Sequence, residues 1–112
     1  MSTRSNPYLE PDKFGLEVIA ELDMGLADEF DMVVVWRHKI TGIWYAAADT
    51  GCCCPVPFDD FTGADLTEVF TLDHVADFAA KAWRDLPPAK QEHAVKVLVD
   101  LVVIAWRKAG TR

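Results

Sequence analysis

The stretch Met32-Val33-Val34-Val35-Trp36-Arg37-His38-Lys39-Ile40-Thr41-Gly42-Ile43-Trp44-Tyr45-Ala46-Ala47-Ala48 reads as a β-hairpin. Five consecutive β-prone residues, Met32 to Trp36, form a strand covered on both faces over its first half. The chain turns polar at Arg37. Gly42 supplies the positive φ that a tight turn or a bulge after it demands. Ile43 to Ala48 then returns as a second β-prone run. Upstream, Leu16, Val18, Ala20, Leu22 and Met24 alternate with Glu17, Ile19, Glu21 and Asp23. Period two predicts a strand with one buried face. Residues 25–31, rich in Asp and Glu, read as the connecting loop, so residues 14–50 form an antiparallel meander. Residues 1–13, with Pro7 and Pro11, read as a loose N-terminal arm.

Downstream, residues 51–70 form a Cys/Pro loop and connector. Pro55 and Pro57 hold the chain extended there, and 67–70 is a candidate short extra strand. Residues 71–109 hold two helices. Val75, Phe78, Ala79, Ala82, Trp83 and Leu86 fall on one helical stripe. Thr71 is the predicted N-cap, with Phe70 and Val75 placed to staple it. Pro87-Pro88 ends the first helix and starts the second, and Gly110 stops the second. That last helix is apolar around most of its circumference. Val95, Leu98, Val99, Val102 and Trp106 make one row, and Val103 falls within the polar strip marked by Lys96, Asp100 and Arg107. It needs two neighbours, which the first helix and the sheet supply; a homodimer through the last helix is the alternative. The predicted fold is α+β in a single domain, 1–112. A small antiparallel sheet of three strands, or four if 67–70 joins, carries a C-terminal helical hairpin on one face.

The 112 residues are 51% hydrophobic with four Trp, which excludes a disordered tail or low-complexity linker. Eleven basic and eighteen acidic residues give a net charge of −7. Residues 1–80 hold four basic and fifteen acidic side chains, and residues 81–112 seven basic and three acidic. Such a surface disfavours nucleic acid and anionic membrane as main partners. No apolar run approaches the ~20 residues a bilayer span needs, and the first residues lack the apolar core of a secretory signal. The consecutive Cys52, Cys53 and Cys54 are not spread like a disulfide scaffold, which predicts a reducing, cytoplasmic setting.

The densest candidate for chemistry is Asp49-Thr50-Gly51-Cys52-Cys53-Cys54-Pro55-Val56-Pro57-Phe58-Asp59-Asp60-Phe61. On an extended segment Cys52 and Cys54 point to the same side. With His38 they make a candidate zinc site, although the paired spacing of a zinc motif is missing. The competing role is packing, because buried cysteines behave as small apolar residues. His38 otherwise caps a strand end, His74 sits in a helix first turn, and His93 faces solvent. The acidic loops lack the alternating pattern of a calcium loop. No phosphate loop, nucleophile elbow or dinucleotide fingerprint occurs, so no catalytic residue is assigned and a non-enzymatic role is favoured. Trp83 and Trp106 are predicted core residues. Trp36 and Trp44, on the hairpin, are candidate exposed anchors for a protein partner, with Val103 a third contact.

Trp36, Thr41-Gly42, Tyr45, Gly51-Cys52, Cys54-Pro55, Pro57-Phe58 and the following Asp59 resemble a family of small proteins encoded by phages of actinobacteria. Its pattern is a Trp-bearing strand, a Thr-Gly turn, an aromatic strand and then G-C-x-C-P-x-P-F. The resemblance covers residues 14–58, about the first half of the chain. Cys53 departs from it, standing where the family has a small polar residue. The resemblance implies a phage origin and a location in the host cytoplasm, and it brings no activity with it. The expected function is that of an accessory protein that binds another protein, such as a host factor, without a cofactor. The alternative is a small metal-thiolate protein holding zinc through the Cys52–Cys54 segment.

Overall fold

The computed structural model describes residues 6–26, 28–52, 57–59 and 61–110. Four strands, β1 (Leu16–Asp23), β2 (Glu29–His38), β3 (Trp44–Cys52) and β4 (Thr67–Val69), form one antiparallel sheet in the order β1-β2-β3-β4. Two helices follow, α1 (Leu72–Ala82) and α2 (Pro88–Gly110). The fold is therefore α+β, and the short segment before Phe70 does join the sheet, pairing Thr67 with Ala46 and Val69 with Trp44.

Each boundary has a local cause. Gly42 takes φ +76° at the hairpin tip, where its N–H donates to the His38 carbonyl at 2.9 Å. Thr71 caps α1 by accepting the His74 N–H at 3.0 Å, which satisfies one of the orphan donors of the first turn. Phe70, however, is 74% exposed and lies against the His74 ring instead of stapling Val75. Pro88 opens α2, where a missing N–H costs nothing.

The sheet is covered on both faces, and the two covers differ. On one face Ala20, Val33, Val35, Ala46 and Val69 pack with Val75, Ala79 and Trp83 of the first helical segment and with Ala94, Leu98 and Val102 of α2. The Trp83 indole, at the C-terminal end of α1, donates to the Asp31 carbonyl at 3.0 Å and ties the helices to the start of β2. On the other face Leu16, Phe30, Met32, Val34, Trp36 and Ala47 pack with Phe58, bordered by Tyr8, Phe14, Tyr45, Phe61 and Leu66.

Two further sequence expectations are overturned here. Residues 6–13 are not a loose arm. Asn6 and Pro7 are buried, the Asn6 side-chain carbonyl accepts the Tyr8 and Leu9 N–H groups at 2.9 and 2.8 Å, and the Pro7 carbonyl accepts the Trp36 indole N–H at 2.9 Å. The arm binds because β2 presents apolar side chains on both faces, and the helices can cover only one. The alternation in β1 also fails to give one apolar face. The register with β2 slips between Val18 and Ala20, so Leu16 and Val18 join the aromatic face while Ala20, Leu22 and Met24 join the helical one. An extra residue in one strand reverses the side of everything after it.

Candidate functional site

The strand register decides the fate of the zinc trio. Cys52 ends β3 opposite Glu29 at the start of β2, whereas His38 ends β2 beyond the Arg37–Trp44 pair. Nine residues of strand at about 3.3 Å each put them roughly 30 Å apart. His38 therefore does not join Cys52 in a metal site. Its Nδ1 accepts the Ile40 and Thr41 N–H groups, both at 3.2 Å, at the turn it was expected to cap. Cys54, like Cys53, lies outside the described residues.

The five-residue connection 39–43 sets Arg37 opposite Trp44 and Trp36 opposite Tyr45. Adjacent positions on a strand face opposite ways, so the two hairpin tryptophans part company. Trp36 is fully buried, edge-on to Phe58 at 5.7 Å. It is a core residue and no partner anchor, because the N-terminal segment and Phe58 cover the face on which it stands. Trp44 turns to the helical face and is half-buried. There it meets Trp106 edge to face, with ring centroids 6.0 Å apart. Trp106, expected in the core, is 56% exposed.

That pair stands between two cavities. One, of about 180 Å³, lies over the start of α1 and is lined by Trp44, Val69, Phe70, Leu72, Val102 and Trp106, among others. The other, of about 540 Å³, runs between β1 and the end of α2, past Val18, Ile19, Trp44, Leu101 and Ile104. Together they make an apolar groove along one end of the sheet. Leu101, Ile104, Trp106 and Phe70 are exposed beside it. Val103, the third predicted contact, is half-buried. Charges stand at the far end of the groove. Glu17 and Arg37 are cross-strand partners joined at 2.8 Å, and Lys108 lies on the helix wall.

Length explains why this end of α2 is open. A helix rises 1.5 Å per residue, so the 23 residues of α2 run about twice the length of the 11 of α1. Beyond the reach of α1, α2 has the sheet as its packing neighbour among the described elements, and its outward apolar side chains stay in water. Sequence reading missed Leu101, Ile104, Trp106 and Phe70 as surface features. The unequal helix lengths were the available signal.

A second locality is built around Phe58. This fully buried aromatic has φ +61°, a backbone state that costs a bulky residue on the order of 1–3 kcal/mol. It is held by the Asp49 carboxylate, which accepts the Phe58 N–H at 2.8 Å, and by Phe61, Trp36 and Tyr8 around its ring. The motif residues Trp36 and Phe58, distant in the G-C-x-C-P-x-P-F resemblance, thus meet in the aromatic core. Beside them the Tyr8 hydroxyl donates to Glu21 at 2.6 Å. That bond, then burial and the charges of Glu21 and Asp23, push the Tyr8 pKa up to about 12. Burial, and the nearby Asp23 and Asp85, also raise the Asp31 carboxyl above its ordinary value.

Residues 5–108 match the family described as Domain of unknown function (DUF7574). The chain belongs to that family. The match spans the meander, the Cys/Pro segment and both helices, so the whole architecture is the family's unit and not an accretion around the hairpin. No curated protein and no solved structure matches the chain. No helix among the described residues is long and apolar enough to cross a membrane.

Proposed function

We propose that this chain is a non-enzymatic binding module that grips another protein through the groove divided by Trp44 and Trp106. In the phage setting that its first half suggests, the partner is a host protein in the host cytoplasm. The observation that carries the proposal is the open Trp106 ring, 56% exposed and packed edge to face on a half-buried Trp44. Binding energy at protein interfaces concentrates in a few large side chains, tryptophan foremost, that are already rigid and seated beside apolar pockets. The smaller cavity suits one apolar side chain, and the larger suits the flank of a helix or strand.

The test is affinity capture from an actinobacterial lysate with the wild-type chain and with Trp106→Ala, using Glu92→Gln as a surface control. A specific protein that is retained by wild type and control, and reduced at least tenfold by Trp106→Ala, supports the proposal. Equal retention by all three overturns it. Light scattering on the pure chain identifies a second copy as the partner: a mass twice 12.5 kDa that falls to the monomer in Trp106→Ala would redirect the groove to self-association.

A further inference from the structure

The sheet has a second open feature, at the edge where β4 stops short. Backbone polarity along β2 can be followed from its bonds. The Asp31 N–H donates to the Asp23 carboxylate and the Asp31 carbonyl accepts the Met24 N–H, so both groups of Asp31 point towards β1. His38, an odd number of residues on, points both of its groups across to the other side, towards the Ile43 and Gly42 end of the hairpin. In an antiparallel pair the opposed residues either exchange both bonds or neither. Thr50, opposite Asp31, therefore turns its N–H and carbonyl away from β2, and so do Ala48, Ala46 and Trp44. Ala46 and Trp44 meet β4. Beyond Ala46 no strand among the described residues pairs with β3 on this side. The next pairing position on the β4 side would be Asp65, but the chain has turned into a short helical turn there, and the Asp65 N–H bonds to Thr62. The Thr50 N–H makes do with the neighbouring Asp49 carboxylate at 3.0 Å.

A cleft of about 380 Å³ opens at this place. Ala47 and Ala48 form its strand wall, Phe61 and Phe78 stand on either side, and Lys81 and Arg84 line it from the end of α1. Among the described residues neither cation forms an ion pair. The acid on the cleft, Asp65, accepts the Thr62 N–H and hydroxyl at 2.8 and 3.1 Å. Strand backbone that lacks a partner strand, as at Ala48 and Thr50 among the described residues, is a template for an incoming strand. Lys81 and Arg84 beside it, without an ion pair among the described residues, select the sign of that strand's side chains.

We propose that the β3 edge at Ala48 and Thr50 takes up an extended, acidic peptide segment of a partner as a continuation of β4, its main chain pairing with Ala48 and its carboxylates meeting Lys81 and Arg84. The site is separate from the tryptophan groove and stands or falls without it. The test uses the full isotope-labelled chain in an NMR titration with a blocked pentapeptide alternating glutamate and valine, set against its lysine–valine counterpart. In the free chain the Ala48 amide should exchange with solvent at least ~100 times faster than that of Ala47, which faces β2. The glutamate peptide should shift and protect the Ala48 and Thr50 amides. The lysine peptide should bind at least ~10 times more weakly, and Lys81→Glu with Arg84→Glu should reverse the preference. Trp106→Ala should leave the titration unchanged. An Ala48 amide already as protected as Ala47, an unmoved edge at saturating peptide, equal binding of both peptides, or loss of the effect in Trp106→Ala would each overturn the proposal.

Discussion

On the helical side of the sheet the cover is regular helix and most contacts are aliphatic, Val33, Val35 and Ala46 against Ala79, Ala94, Leu98 and Val102, with Trp83 the one fully buried aromatic among them. On the opposite side the cover is irregular chain, and the contacts are aromatic. Tyr8, Phe58 and Phe61 close over Trp36 from segments that are neither helix nor strand. The first cover holds mainly by area and periodicity, with the Trp83 indole bond to the Asp31 carbonyl as a polar tie. The second needs named polar bonds to fix its backbone: Pro7 to the Trp36 indole, Asn6 to Tyr8 and Leu9, and Asp49 to Phe58. A regular cover tolerates change wherever volume is kept. An irregular cover loses a buried polar partner with each broken bond and so depends on single residues.

The largest effect should come from Trp36→Ala. It empties the centre of the aromatic side and should cost about 3–5 kcal/mol in urea unfolding. A loss under about 1 kcal/mol would mean that the second cover is not packed. Leu98→Ala, the matching cut on the helical side, should cost about 2–5 kcal/mol, and Leu98→Met, which keeps volume, under about 1.5 kcal/mol. Asp49→Ala sharpens the contrast. It removes no buried apolar group but orphans the Phe58 N–H, for a loss of about 1–3 kcal/mol, visible also as a shifted Trp36 signal. No comparable loss should follow from removing an exposed acid such as Asp77. Thr71→Ala removes the α1 cap and should cost about 1 kcal/mol, confined to the helical side.

The smallest effect is one of pH. The Tyr8 hydroxyl has its folded pKa pushed up to about 12, above an unfolded value near 10. The folded state thus favours the neutral phenol. Its contribution is fully present below about pH 10 and is lost as pH rises from about 10 to 12. Tyr8→Phe should leave alkaline stability flatter across that window in denaturant titrations. An unchanged curve would mean that the Glu21 bond does not form in solution.

Legibility in the sequence followed the same division. The hairpin around Gly42, the Thr71 cap and the proline start of α2 were readable, because each rests on local backbone chemistry; the helical stripe was readable from its period, although it was expected to run to Leu86 and end at Pro87, and α1 ends at Ala82. The face assignment in β1 was not, because the slip between Val18 and Ala20 leaves the alternation of letters intact while reversing what it means. The burial of Asn6 and Pro7 was hidden too, since a polar, proline-bearing segment has no period to betray a core behind it. Trp36 and Trp44 could be placed only once the five-residue turn fixed their register. His38 as a partner for Cys52 fails for a related reason: the hairpin pairing sends the two to opposite ends. Trp106 lies on an apolar helical row yet outside the core, because α1 ends before it can cover that part of α2.

The two-sided core and the groove both depend on where the four tryptophans stand, and one measurement addresses all of them. Incorporating 5-fluorotryptophan, assigning each ¹⁹F resonance by single Trp→Phe variants, and adding a soluble paramagnetic agent should broaden Trp106 strongly and Trp44 partly, while Trp36 and Trp83 stay sharp. A Trp36 resonance broadened as much as that of Trp106 would contradict the two-sided core and, with it, the claim that the groove at Trp44 and Trp106 is the molecule's open face.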